Sequence, residues 1–288
     1  MAVIDEGLAL FAGPGFVLQH ARADATSAPL SPHFHAEYLL CAQLQGDETC
    51  EVAGHAHRLH AGDVFLLNPE QVHTGHDGAS EGLEYVSLYV DREWAERLAV
   101  DLGGVARAPE FLRVRVERAL PLVRGLQHLW TRVAAADGEV EAADRLTLEG
   151  EVVDLVADAL ASFSNVREPH RRPAQRIRHR RVRRVLEYLH TPGGATDLQT
   201  LADLAGLSKY HFLRHFAAEV GLTPGAYLRT LRISESARSL RRGVSVEAAA
   251  QAAGFTNLTA YTRSFRRIVG TTPLRYARAC ADALRATA

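Results

Sequence analysis

The sequence predicts a two-domain α+β chain: an amino-terminal β-barrel with helices following it, then an all-α carboxyl-terminal domain built on a double helix-turn-helix. Three observations carry that expectation. The first ~90 of 288 residues alternate short apolar runs with turn-forming Gly, Pro, Asn and Asp. From Asp91 the apolar residues recur at helical spacing instead. In the last third, one pattern is written twice. Charge divides along the same line: from Arg171 onward there are 21 Lys+Arg against 7 Asp+Glu, and before it 12 against 27. The net charge of -1 therefore hides a basic third whose partner is a polyanion, joined to an acidic remainder.

Strands are expected at residues 16–19, 37–44, 48–52, 57–60, 64–67 and 83–90. Gly46-Asp47, Ala53-Gly54, Ala61-Gly62-Asp63 and Asn68-Pro69 separate them with residues suited to tight turns. Many short strands at close spacing favour a barrel or jelly roll over a parallel sheet. The barrel is assigned to residues 1–90.

A helical region, 91–165, follows, with helices at 92–101, at 110–136 with a bend at Pro121, and at 141–163. In the last, Leu146, Val153, Val156, Ala157 and Leu160 recur at helical spacing and are read as its buried face. These helices either dimerise or merely cover the barrel. Residues 166–180 read as a linker rich in Pro and Arg, and a helix resumes from Ile177 to open the last domain, 181–288.

The repeat defines that last domain. Ala202-x-x-Ala205-Gly206-Leu207-Ser208 returns as Ala250-x-x-Ala253-Gly254-Phe255-Thr256, 48 residues later. Phe212, Arg214, Phe216, Gly221, Thr223, Pro224 and Tyr227 return as Tyr261, Arg263, Phe265, Gly270, Thr272, Pro273 and Tyr276. Each copy has a short alanine-rich helix (198–205; 246–253), a glycine able to take a left-handed turn, and a cap oxygen from Ser208 or from Thr256 or Asn257. The helix after the cap has an apolar stripe for a core and a polar face that fits a DNA groove. A joining helix at 224–242 links the copies.

The strings GLSKYHFLRHFAAEVGLTPGAYL and GFTNLTAYTRSFRRIVGTTPLRY resemble the DNA-binding domain of the AraC family of transcription regulators, with Tyr261 where that family more often has Phe. The resemblance implies two recognition helices presented to double-stranded DNA. Groove geometry then places Arg214 and Tyr210 of the first toward base edges, with Leu213 on the same DNA-binding face and Ser208 and Lys209 on phosphates. In the second, Arg263 and Thr259 reach bases, assisted by Asn257 and Thr262; arginine matters most because its planar fork fits guanine O6 and N7 together.

Histidines mark the amino-terminal half. In Pro32-His33-Phe34-His35-Ala36-Glu37 the two His and the Glu stand two apart, so an extended strand points all three one way, and His73 follows beyond a proline turn. These two stretches are similar to the paired motifs of the cupin family, and to the cupin-like sensor of AraC-type regulators. In metal-holding cupins the matching residues, His33, His35, Glu37 and His73, converge on a divalent ion such as Zn, Fe, Ni or Mn. Without metal the same residues contact an organic effector or hydrogen-bond within the barrel. His55, His57, His60 and His76 are placed on surface loops.

The expectation is a sequence-specific DNA-binding regulator, not an enzyme, that responds to a small-molecule effector. RNA polymerase and a second copy of the chain are its expected protein partners. The alternative is a cupin-type metalloenzyme carrying a DNA-binding module, in which His33, His35 and His73 activate water or oxygen. Cys41, Cys50 and Cys280 lack metal-ligand or disulfide spacing, and with no export signal or apolar run of ~20 residues they point to the cytoplasm.

Overall fold

The computed structural model describes residues 9–23, 31–75, 82–104, 108–135, 142–168, 170–171, 180–191 and 197–285. Strands Ala9–Gly13 (β1), Phe16–Ala23 (β2), Tyr38–Gln45 (β3), Glu48–Val52 (β4), His55–Leu59 (β5), Val64–Leu67 (β6) and Leu83–Val90 (β7) are followed by helix Arg92–Asp101 (α1). A short strand Arg115–Val116 (β8) precedes helices Leu120–Ala135 (α2) and Ala142–Phe163 (α3). Among the described residues, six strands form an antiparallel sheet in the order β1-β2-β7-β3-β6-β8, and β4-β5 is a separate hairpin.

Both faces of that sheet are covered. Tyr38, Leu40 and Ala42 of β3 lie with Leu18, Leu66 and Leu88 against helical Ala95, Leu126, Leu129, Val152 and Val156. Leu39 and Cys41, their alternate neighbours, pack with Phe65, Leu67 and Tyr85 under Cys50, Val52 and Leu59 of the hairpin. Strand β3 is therefore apolar on both sides because it has no solvent side.

Three expectations are corrected. No single helix spans 110–136: residues 110–119 are held as loop and β8 by long-range partners. Asp63 accepts from Arg115 Nε at 2.8 Å and from the Arg118 amide at 3.0 Å, and Asn68 Oδ1 accepts from the Phe111 amide at 2.7 Å. Pro121 then lies in the first turn of α2, where its missing N–H is harmless, and bends nothing. In α3 the buried residues are Leu148, Val152, Val156, Ala159 and Leu160, whereas Leu146 is 72% and Val153 36% exposed. Finally, His55 and His57 belong to strand β5, not to a loop, and His60 pairs with Asp47 at 2.9 Å. His76 and Ile177 lie outside the described residues.

The remaining helices are Arg180–Leu189 (α4), Leu198–Ala205 (α5), Lys209–Val220 (α6), Pro224–Arg241 (α7), Val246–Ala252 (α8), Leu258–Val269 (α9) and Pro273–Arg285 (α10). Five of them, α5 to α9, form where the sequence supplies a start. Asp197, Ser208, Thr223, Ser245 and Asn257 each accept an amide from the first turn of the helix they open. Gly206 (φ 62°) and Gly254 (φ 80°) make the left-handed turns between the paired helices. The two units have separate cores: Phe212, Phe216, Tyr227 and Leu231 in one, Ile233, Leu240, Tyr261 and Phe265 in the other. Helix α7, about 27 Å long at ~1.5 Å per residue, contributes to both.

Candidate nucleic-acid interface and effector cavity

Burial on α6 and α9 separates two faces at four-residue spacing. Phe212, Phe216 and Val220 are buried on α6, and Tyr261, Phe265 and Ile268 on α9. The Tyr261 hydroxyl lies 3.0 Å from Ser236 Oγ inside the second core, so the Phe-to-Tyr difference is absorbed there and not at a groove. On the other face of α6, Lys209, Tyr210 and Arg214 are exposed, Leu213 is 36% exposed, and the Arg214 guanidinium sits 5.6 Å from the Tyr210 ring. On α9, Thr259 and Arg263 are exposed and Thr262 is half-buried.

The caps Ser208 and Asn257 sit where each recognition helix begins. Asn257 accepts from Thr259 N at 2.8 Å and Ala260 N at 3.2 Å, so its Oδ1 is engaged and its amide N–H groups are what it can offer a phosphate. Arg180, Arg183 and Arg184 of α4 add exposed positive charge, whereas Arg181 donates to the Gly206 carbonyl at 3.2 Å and so braces the first turn.

The histidines gather at the mouth of the sheet's inner face. His33 and His73 pair through reciprocal backbone hydrogen bonds of 2.9 Å, and their rings lie 4.3 Å apart. The His35 ring is 5.1 Å from His73 and 5.2 Å from Tyr89. Nδ1 of His33, His35 and His73 faces the carbonyl of Ser31, Glu37 and Gln71 respectively, each at 2.9 Å. A carbonyl only accepts, so Nδ1 carries the hydrogen in all three rings and Nε2 is left as the lone-pair atom. Burial pushes the pKa of all three down, and the neighbouring imidazoles push that of His73 further.

Glu37 does not join this cluster's chemistry. Its carboxylate accepts from Arg241 Nη2 of α7 at 2.6 Å, and the same Nη2 is 3.4 Å from Asp91. Burial raises the Glu37 pKa, but Arg241, His35 and Arg238 outweigh it and hold the carboxyl below its ordinary range. Among the described residues no group of three or more His, Cys, Asp or Glu is arranged to hold a metal ion. The set His33, His35, Glu37 and His73 therefore does not fit a resident metal as a four-ligand site.

What the mouth of the sheet does have is a partner. The Phe34 side chain is 1% exposed and lies in the core of the first helix-turn-helix, 4.6 Å from the Tyr227 ring. Its carbonyl accepts from Ser234 Oγ of α7 at 3.0 Å, and β1 packs against α10 of the second unit. A cavity of about 70 Å³ lies between, walled by Val17, Gln19, His33, Phe34, His35, Glu37 and Tyr89 on one side and Ser234, Ala237, Arg238, Arg241, Ile268 and Tyr276 on the other. Gln19 Nε2 and His35 Nε2 are buried there with no hydrogen-bond partner among the described residues. Spacing within the sequence had grouped His33 and His35, which the structure places on this wall; Gln19, Phe34 and Arg241 carried no local signal, since the Glu37–Arg241 pair spans 204 residues.

Comparison with known proteins joins these two features in one family. Residues 13–156 match the AraC-like ligand binding domain, and residues 201–279 match a helix-turn-helix domain. The chain belongs to the AraC family. It is a DNA-binding transcription regulator with an amino-terminal ligand-binding domain. The uncharacterized HTH-type transcriptional regulator YbfI of Bacillus subtilis is 28% identical over 227 residues, 78% of each chain. Apo ToxT of Vibrio cholerae superposes with a TM-score of 0.57 over 94% of this chain and 99% of its own, at 11% identity. Unsaturated fatty acid-bound ToxT gives 0.50 over 92% and 95%, at 10% identity. At such identity the ToxT structures show the shared fold alone. These comparisons give the metalloenzyme alternative no support, and among the described residues no helix is long and apolar enough to cross a membrane.

Proposed function

We propose that this AraC-family regulator reads a small organic effector in the cavity between its two halves, and that occupancy sets how firmly the amino-terminal sheet domain holds the DNA-binding units. One observation carries the reading. Along residues 33–37, His33 and His35 line the cavity, and Phe34 between them lines it as well while filling the first helix-turn-helix core. An effector that shifts the histidines shifts the plug on the same backbone. The docked state holds α7 and α10 against the amino-terminal sheet domain and so restrains the mutual angle of two units with separate cores. Release lets both recognition helices settle into successive major grooves, ~34 Å apart.

The DNA contacts in this reading are Arg214, Tyr210 and Leu213 on α6 and Arg263, Thr259 and Thr262 on α9, with Ser208, Lys209 and Asn257 on phosphates. A homodimer forms through α3, where Leu146, Gly150, Val153 and Ala157 make an outward stripe at helical spacing. The deciding experiment selects bound sequences from random DNA and then compares the full-length protein with Phe34→Ala on the selected operator. Affinity should rise about tenfold as the plug is lost; an unchanged affinity in a folded variant would sink the coupling.

A further inference from the structure

The cavity's polar atoms specify the chemistry of its occupant. The buried cation of its wall, Arg241, is already answered by Glu37 at 2.6 Å and, from outside the cavity, by Asp91 at 3.4 Å, while Arg238, 4.0 Å from Glu37, is 41% exposed and hydrated. A carboxylate reaching Arg241 would have to displace Glu37 and strand a buried anion. The unmet demand is neutral: an amide N–H donor on Gln19 and a lone-pair acceptor on His35, both buried and both on this wall. The acceptor assignment follows from Nδ1 of His35 donating to the Glu37 carbonyl.

Size and lining complete the description. Gln19 and His35 line the same cavity of about 70 Å³, so one occupant faces both unpaired atoms. Around them stand Val17, Tyr89, Ala237, Ile268 and Tyr276, an apolar and aromatic wall. We propose that the site takes a compact, uncharged molecule with one hydroxyl on an apolar body, the hydroxyl accepting from Gln19 Nε2 and donating to His35 Nε2. The inference rests on the reading of this cavity as the effector site and adds the class of molecule.

Titration calorimetry on the full-length protein with phenol, toluene and benzoate tests it. Phenol should bind saturably, with toluene and benzoate each at least tenfold weaker. In Gln19→Met and His35→Phe, which keep bulk but lose the polar atom, the preference for phenol over toluene should vanish while toluene binding persists as proof of an intact site. Tightest binding by benzoate, no binding of phenol, or a phenol preference surviving in both variants overturns the proposal. Failure of phenol alongside a Phe34→Ala effect on DNA affinity removes only the chemical class. Saturable phenol binding that leaves DNA affinity unmoved, with Phe34→Ala also silent, removes the effector reading and keeps the site.

Discussion

Replacing Glu37 with Gln keeps the side chain's shape and removes the charge that faces Arg241. The pair is 2.6 Å apart and its side chains are 11% and 15% exposed, so water screens it little. Breaking such a pair by removing one partner typically costs 3–5 kcal/mol, on the order of a few tenths of total stability. Two features reduce that here: an amide oxygen still accepts from the guanidinium, and Asp91 remains 3.4 Å away although 44% exposed. A loss of about 2 kcal/mol in docking is the net expectation, roughly 30-fold in the balance of docked and released forms. Because a binding-competent state contributes in proportion to its population, operator affinity should rise by up to that factor. Fluorescence anisotropy at one fixed salt concentration reads it, since phosphate contacts make the affinity salt-dependent. Arg241→Gln alone and the double variant should match Glu37→Gln, because a latch opened once has nothing left to open. Additive gains, or an affinity equal to that of the parent, would refute the reasoning.

Three further outcomes follow from the same structure. Arg263→Ala should weaken specific binding by about 1–3 kcal/mol and relax preference at one base pair; an unaltered base preference would take Arg263 off the bases. Stability should fall as pH drops below ~6.5, because unfolded histidines take up protons that the depressed pKa values of His33, His35 and His73 refuse in the folded protein. The slope is at most about 1.4 kcal/mol per pH unit for each ring, or about 4 for three, lost once pH passes the folded values. Urea midpoints that stay level between pH 7 and 5 would contradict it. Leu146→Glu should turn a dimer into a monomer in sedimentation, with the melting temperature little changed because Leu146 is 72% exposed; a dimer that persists moves the interface elsewhere.

What was legible in the chain was what its near neighbours decide. Helices α5, α7 and α8 begin and end within a residue or so of expectation, and α6 and α9 begin after the expected caps Ser208 and Asn257, because an N-cap oxygen, a proline at the first turn or a left-handed glycine acts over three or four residues. Stretch 110–119 was illegible for the opposite reason. Its apolar pattern suits a helix, but Asp63 and Asn68, some 40 to 55 residues earlier, capture Phe111, Arg115 and Arg118 and tie the segment to the sheet edge. Helix α3 failed differently, since it has apolar residues on two faces and periodicity cannot say which one the sheet covers. His33, His35 and Glu37 were grouped by their spacing of two, yet Glu37's charge is answered by an arginine from the far end of the chain.

The place of Phe34 between these histidines also explains how one short segment can serve both halves of the molecule. Coupling between distant sites ordinarily needs an element with two discrete arrangements that both sites bias. Here the element is five residues long, and Phe34 belongs to both sites: it lines the cavity beside His33 and His35 and packs against Tyr227 in the first helix-turn-helix core. A displacement of the histidines is therefore passed to Phe34 through peptide bonds and needs no relay of packed side chains. The response is sharp because Phe34 sits at 1% exposure in a close-packed core, which tolerates it seated or expelled but not halfway. A Phe34→Leu variant, which fills the same pocket less well, should therefore shift the balance between docked and released forms without creating an intermediate DNA affinity within either one.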